Sequence, residues 1–309
     1  MYEGILGVKK TTFGLDIGHE TMKVVQVKGK KNNFRLIGAS EINIPAASLT
    51  KEGLKNKQEI AQAIRQAVKT AKPHGISAKI VAAGLPESLV FTKSLDLPKM
   101  SLAEINKNIP YQVNEFFPLP PEETYMDWQI TEIQEKGSVE VLVVAAPKVI
   151  VDSLVETVKL AGFELMGLET KPVAVARALV GYNDMNPYII VDIGAENSGL
   201  TCLDKGVLKL TSTVSFGGNQ IAKDPESTLK NLASEIVHSM KYYQNRVGQA
   251  QVFRKVILAG GGASIENVPA KIENLTKIKT EISQPMVKLT NYHPRFATAI
   301  GLAMKEISR

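Results

Sequence analysis

Two short runs carry the residues best placed to do chemistry, Gly14-Leu15-Asp16-Ile17-Gly18 and Val191-Asp192-Ile193-Gly194-Ala195. Each is an apolar strand that ends on an Asp and a Gly and turns at once into another strand. A phosphate needs several backbone N–H donors aimed at one point, and a tight turn supplies them. Glycine lets the backbone approach with no Cβ in the way. Mg²⁺ keeps much of its water and needs only one or two carboxylates. The two turns therefore predict a phosphate clamp built from Gly14, Asp16, Gly18, Asp192, Gly194 and Ala195, with Asp16 and Asp192 holding a hydrated Mg²⁺ from opposite walls. Lys23, just past the first turn, is placed to neutralise a phosphate. A single Asp-x-Gly is an ordinary turn, so the reading rests on its recurrence in the same strand-turn-strand context. Gly260-Gly261-Gly262-Ala263-Ser264 follows a buried strand. That loop is either bare backbone for the phosphate or sugar side of a nucleotide, or a Gly-rich connection.

Such turns need two lobes to hold them, and the chain has the length for both. At 309 residues it exceeds one ordinary domain. With 44% apolar and 22% charged residues it can build a core and is not disordered. The net charge of +6 comes without the dense basic stripe of a nucleic-acid binder. The basic spots Lys9-Lys10 and Lys28 through Lys31 are either a solvated tail and hairpin or a contact for anionic lipid or an acidic partner. A lone Cys202 excludes an internal disulfide framework and fits a reducing cytosol. No signal-peptide pattern opens the sequence, and no run approaches the ~20 apolar residues of a membrane span, so any membrane association is expected to be peripheral or through a partner. His19, His74, His238 and His293 are scattered, which argues against zinc. There is no Gly-x-Ser-x-Gly elbow for a serine nucleophile, and the Rossmann and P-loop spacings are absent.

The first lobe is predicted to open with strands over 11–16, 22–28 and 34–44, punctuated by Gly18, Gly29 and Asn32-Asn33. Ile60, Ala61, Ile64, Ala67, Val68 and Ala71 then mark one face of a helix, which Pro73-His74-Gly75 stops. From Ile80 to Phe163 the pattern is strand, helix, two strands, helix, which reads as a small α+β insertion. Ser101-Leu102-Ala103-Glu104 is a capping box at the start of its first helix, where Leu102, Ile105, Ile109 and Val113 form a core stripe. Pro110 should kink or interrupt that helix. Residues 163–170 are extended and 172–179 form a short helix. The second lobe repeats the opening with strands over 188–193, 199–203 and 207–214, then a long helix started by Asp224-Pro225, a buried strand over 255–259, and a last helix over about 294–307.

These motifs resemble the PilM family, the cytoplasmic actin-like proteins of type IV pilus assembly, related to the division protein FtsA. Gly14 to Gln26 is similar to the first phosphate motif of the actin-like ATPases and Ile189 to Leu208 to the second. Val256 to Ala263 is similar to the adenosine motif, and Arg295 to Ala303 to the closing helix of the family. The family-specific part is the insertion: Leu85-Pro86-Glu87-Ser88, Leu95-Asp96-Leu97-Pro98, Phe116 to Pro120, Asp127-Trp128-Gln129 and Val143 to Lys148. The resemblance implies an α/β actin-like (ribonuclease H-like) fold of two lobes, with an α+β insertion in the first lobe and a shortened second lobe. The implied divisions are 1–84, 85–163, a connecting strand and helix over 164–185, 186–293, and a helix over 294–309 that returns to the first lobe. It implies ATP and Mg²⁺ as ligands. It also implies a scaffold of the inner-membrane pilus machinery, with other inner-membrane assembly proteins as neighbours. This scaffold grips the cytoplasmic amino-terminal tail of PilN between first lobe and insertion. Leu89, Phe91, Leu95 and Leu97 are the expected groove residues. The protein would sit at the inner face of the cytoplasmic membrane, reaching it only through a partner.

Three departures from the family bear on the nucleotide. The first phosphate turn is small and neutral in the family and here is His19-Glu20-Thr21. If Glu20 points inward, its charge at ~4 Å from a phosphate costs about 1 kcal/mol in water-like surroundings and about 4 kcal/mol at an effective dielectric of 20, enough to weaken ATP tenfold or more. If it points into solvent, the cost vanishes. Next, Lys171 stands where many relatives carry an acid before Pro172, so a carboxylate that orients water or Mg²⁺ is lost unless Glu169 substitutes. Finally, the stretch from Gly217 to Val256 is short, so a subdomain over the adenine is missing. The leading reading is an interaction scaffold with weakened nucleotide binding. An active ATPase or sugar-kinase-like phosphotransferase needs a base near the γ-phosphate, for which Glu169 is the one candidate. An FtsA-like filament former needs an amphipathic anchor, which the ending Glu306-Ile307-Ser308-Arg309 does not predict.

Overall fold

The structure, a computed structural model, describes residues 11–30, 33–45, 48–133, 137–181, 183–248, 253–288 and 293–305. Lys9-Lys10, Lys31 and the ending Glu306 to Arg309 lie outside the described residues.

In the first lobe, β1 (Thr12–Ile17) is buried along its whole length because it is covered on both faces. It pairs antiparallel with β2 (Thr21–Lys30), which pairs antiparallel with β3 (Asn33–Asn43). β4 (Leu49–Thr50) and β5 (Gly53–Leu54) form a small ladder before α1 (Lys57–Thr70), which buries the predicted face from Ile60 to Val68. β6 (Lys72–Pro73) joins the edge of β3, and β7 (Ile80–Leu85) lies parallel to β1 on its other side.

The insertion follows: β8 (Phe91–Leu97), α2 (Leu102–Asn114), β9 (Thr124–Ile133) and β10 (Val139–Pro147). Its sheet runs β8-β10-β9. The capping box forms as predicted, with Ser101 N–H donating to Glu104 Oε2 at 2.7 Å and Glu104 N–H to Ser101 Oγ at 3.3 Å. Of the two outcomes expected at Pro110, a kink or an interruption, the interruption does not occur, and α2 runs through it. Ile105, Ile109 and Val113 pin both halves of the helix to one apolar core with Leu95, Val141 and Val143, and that burial outweighs the backbone bond that proline forfeits. Leu102, expected in the same stripe, is exposed at the first helical turn. α3 (Lys148–Leu160) leaves this unit in packing terms, because Ile150, Leu154 and Val158 join the first-lobe core with Phe13, Ile60 and Ile64.

β11 (Glu164–Thr170) returns parallel to β7 and leads into α4 (Lys171–Leu179). The second lobe comprises β12 (Tyr188–Ile193), β13 (Ser198–Asp204), β14 (Val207–Val214), α5 (Gly218–Lys223), α6 (Pro225–Val247), β15 (Lys255–Ala259), α7 (Val268–Thr276) and β16 (Thr280–Ile282). β17 (Val287–Lys288) crosses back to pair with β3, and α8 (Ala297–Ala303) ends the described chain.

The two lobes are copies of one topology. The first sheet contains the order β11-β7-β1-β2-β3, and the second runs β16-β15-β12-β13-β14. In each, the central strand has an antiparallel hairpin partner on one side and a parallel strand on the other. α4 and α8 lie between the sheets, and their Val175, Ala178, Ala299 and Ile300 share a core with Val25 and Phe34 of one lobe and Ile190 and Ile257 of the other. The insertion is tied to the second lobe by charge. Lys209 on β14 is buried against Glu140 and lies 2.8 Å from Glu132, and Arg246 on α6 is 3.0 Å from Asp96.

Candidate nucleotide cleft

The equivalent strand ends of the two lobes make equivalent turns. Gly18 N–H donates to Thr21 O at 2.9 Å, and Gly194 N–H donates to Asn197 O at 3.0 Å. Both turns open onto one cleft of about 740 Å³ between the lobes. Asp16, Gly18, Lys23, Asp192, Gly194, Ala195, Gly260, Gly261 and Gly262 all line it, so residues from both ends of the chain are brought together as the repeat predicts. At Gly260 the backbone has φ +80°, and a Cβ would sit 2.5 Å from Asp192 Oδ1 and 2.3 Å from Ile193 O. Only glycine passes there. Gly14 does not belong to the cleft. A Cβ on it would meet Ala299 O at 2.1 Å, so its bareness serves the seating of α8 on β1 rather than a phosphate.

The charges of the cleft differ from the predicted clamp. Lys171, the first residue of α4, places Nζ 2.7 Å from Asp16 Oδ1 and donates to Ile17 O at 3.1 Å. Burial disfavours the charged form of Asp16, but Lys171 and Lys23 outweigh it, so the carboxyl titrates below its ordinary range. Asp192 moves the other way, raised by burial and by the facing Asp16. Among the described residues its Oδ2 receives a long contact from Thr298 Oγ1, at 3.4 Å. Lys23 is held by Thr21 Oγ1 at 2.6 Å and lies 3.6 Å from Glu41, which Arg295 grips at 2.7 Å.

A further acid enters that residue-by-residue reasoning did not single out for the site. Glu87, just beyond β7, lines the same cleft, and its Oε1 is sealed from water with no hydrogen-bond partner among the described residues. Gly199, opposite Asp192 in the β12–β13 ladder, makes room for it, since a Cβ there would lie 2.2 Å from Glu87 Oε2. Burial first, and Asp192 second, push this carboxyl up to about 8, against the pull of Lys171. The only sequence signal was its place in the Leu85-Pro86-Glu87-Ser88 run.

These contacts correct several expectations. Asp16 is already paired with an ammonium, Lys171 Nζ at 2.7 Å from its Oδ1, and a Mg²⁺ shared by Asp16 and Asp192 would have to stand against that like charge. Glu169 does not substitute for the missing acid, because Arg177 holds both its oxygens at 2.6 Å. Glu20 neither dives toward the phosphate turn nor floats free. It reaches across the cleft mouth, where Asn219 Nδ2 donates to it at 2.7 Å and to Glu196 at 2.8 Å. The four expected groove residues do not share a surface. Leu95 and Leu97 are buried in the insertion core, Leu89 packs on the first-lobe core, and Phe91 is 42% exposed and stacks edge-on against Phe117.

Duplicated lobes presenting matching acidic turns to a shared cleft, with two helices between the sheets, define the actin-like class of proteins. The chain resembles MreB5 of Spiroplasma citri bound to AMPPNP with a TM-score of 0.51 and 11% identity, over 96% of each chain. It resembles a chain of the PilM-PilN type IV pilus biogenesis complex with a TM-score of 0.80 and 20% identity, over 96% of this chain and 99% of that one. The family described as type IV pilus assembly protein PilM matches residues 14–226 and 226–307, and the chain belongs to that family. Among curated proteins it is 24% identical over 241 residues to cell division protein FtsA of Streptococcus pneumoniae, 70% of this chain, and 21% identical over 272 residues to FtsA of Bacillus subtilis, 79% of this chain. It spans 52% and 61% of the length of those two relatives. No helix among the described residues is long and apolar enough to cross a membrane.

Proposed function

We propose that this protein is a scaffold on the cytoplasmic side of a type IV pilus machine that grips the cytoplasmic tail of PilN. The observation that carries the reading is the extent of the likeness to the PilM-PilN complex chain, which takes in the insertion as well as both lobes. The junction of insertion and first lobe offers a surface for a peptide. Tyr125 is 46% exposed beside α3, with its hydroxyl donating to Asp152 at 3.2 Å and Lys148 over its ring at 5.4 Å. A tail segment docked there would find an aromatic face flanked by both signs of charge. Membrane attachment is then indirect, through the tail's own protein and other inner-membrane assembly partners. The cleft receives an adenine nucleotide with low affinity. Arg177 holds Glu169, the one acid expected to act as base for phosphoryl transfer, at 2.6 Å. Fluorescence anisotropy with a synthetic PilN-tail peptide tests the scaffold reading. Saturable binding that Tyr125→Ala weakens supports it, and no saturable binding refutes it.

A further inference from the structure

We propose that the Lys171 ammonium occupies the seat a divalent cation would take between the two acidic turns, so that the cleft receives nucleotide phosphates without a metal ion. The inference rests on the nucleotide reading of the cleft and adds how its charge is balanced.

The backbone of Lys171 is placed by the fold. It opens α4, Pro172 follows it, and α4 is packed between the sheets through Ala174, Val175 and Ala178. The stem passes Gly84 of β7, where a Cβ would already lie 3.6 Å from Lys171 Cγ. Nζ then meets the two oxygens at the end of β1 that a cation would use, Asp16 Oδ1 at 2.7 Å and Ile17 O at 3.1 Å. An ammonium carries three donors. One is spent on Ile17 O, the charge is paired with Asp16, and Lys171 itself lines the cleft from which a phosphate oxygen would arrive.

Three carboxyl groups surround this point from separate strands: Asp16 at the end of β1, Asp192 at the end of β12, and Glu87 beyond β7. Lys23 is the other lysine on the clamp, and it is already held by Thr21 and Glu41. Lys171 is therefore the cation in direct contact with Asp16, with Asp192 and Glu87 within its field. A hydrated Mg²⁺ needs its own oxygen shell and would stand beside a like charge held by Asp16 and Ile17 O. Fixed monovalent charge in place of an exchangeable divalent ion makes the clamp independent of cellular Mg²⁺, with weaker hold on the phosphates.

The test measures Mn²⁺ binding by the loss of its free-ion paramagnetic resonance signal, with the full chain, with and without ADP. The wild type is expected to bind no Mn²⁺ in the micromolar range. Lys171→Ala is expected to gain a site at least about tenfold tighter than the wild type's, and adding Asp192→Asn should remove it. Wild-type binding as tight as the variant's overturns the proposal, and so does a folded Lys171→Ala that gains nothing. Should the variant not fold, the wild-type titration still decides, because tight Mn²⁺ binding there contradicts an ammonium in the seat. In parallel, ADP affinity of the wild type is measured in Mg²⁺ and in EDTA. Values within about twofold are expected, and a gain of about tenfold in Mg²⁺ overturns the proposal. Absence of ADP binding under both conditions refutes the nucleotide reading instead, and the Mn²⁺ titrations alone then judge the seat.

Discussion

Replacing Glu87 by Gln should stabilise the protein, and by an amount that grows with pH. Glu87 titrates at about 8 in the fold against an ordinary value of 4.5. Between those values the folded chain holds a proton that the unfolded chain has released. Stability from this group is fully present below 4.5 and is lost as pH rises to about 8, at roughly 1.4 kcal/mol per pH unit. Glutamine is nearly the same shape and never ionises, so it escapes the loss. Its amide also offers donors beside Asp192, whose Oδ2 is poorly satisfied. The variant's advantage over wild type works out at about 1 kcal/mol at pH 5, about 3 kcal/mol at pH 7 and nearly ~5 kcal/mol at pH 9. Asp16 and Glu41, whose carboxyls titrate low, contribute the opposite slope in acid, but they are common to both proteins and cancel in the difference. Urea unfolding followed by circular dichroism at the three pH values supplies the numbers. A difference that does not change with pH, or a variant less stable than wild type at pH 7, would mean that Glu87 is ionised and paired in the fold, and the reasoning would fail.

Arg177→Ala should cost about 3 kcal/mol, because it strands the half-sealed Glu169 carboxylate and removes the donor to Gly301 O at 2.9 Å; a thermal melt unchanged from wild type would contradict this. Lys209→Met should cost about 3 kcal/mol by removing the cation buried against Glu140, which keeps only the more distant Arg246 at 3.8 Å. It should also loosen the insertion from the second lobe, which faster amide exchange in β8 and β14 would report and unchanged exchange would refute.

The sequence by itself determined the duplicated architecture. Strand-turn-strand runs ending in Asp-Ile-Gly are local patterns, and the hydrogen bonds at Gly18 and Gly194 that close them span three residues. The capping box at Ser101 and the buried face of α1 were legible for the same reason, since their partners lie within one or two helical turns. What failed were several readings that depended on which distant neighbour a residue would meet. Leu95 and Leu97 looked like groove residues, but the pairing of β8 with β10 turns them into the insertion core. Pro110 signalled a kink or a break, and the helix runs on through it because Ile105 and Val113 on either side are held by one core. Lys171 read as a missing acid, and only its approach to Asp16, a residue far away in the chain, made it a counter-ion. Glu87 gave no chemical signal, because its shifted titration comes from desolvation and from Asp192 in the opposite lobe. Local hydrogen bonds and apolar periodicity are written along the chain, whereas burial and Coulomb energy depend on distances through space, and those are fixed only when the two lobes close on each other.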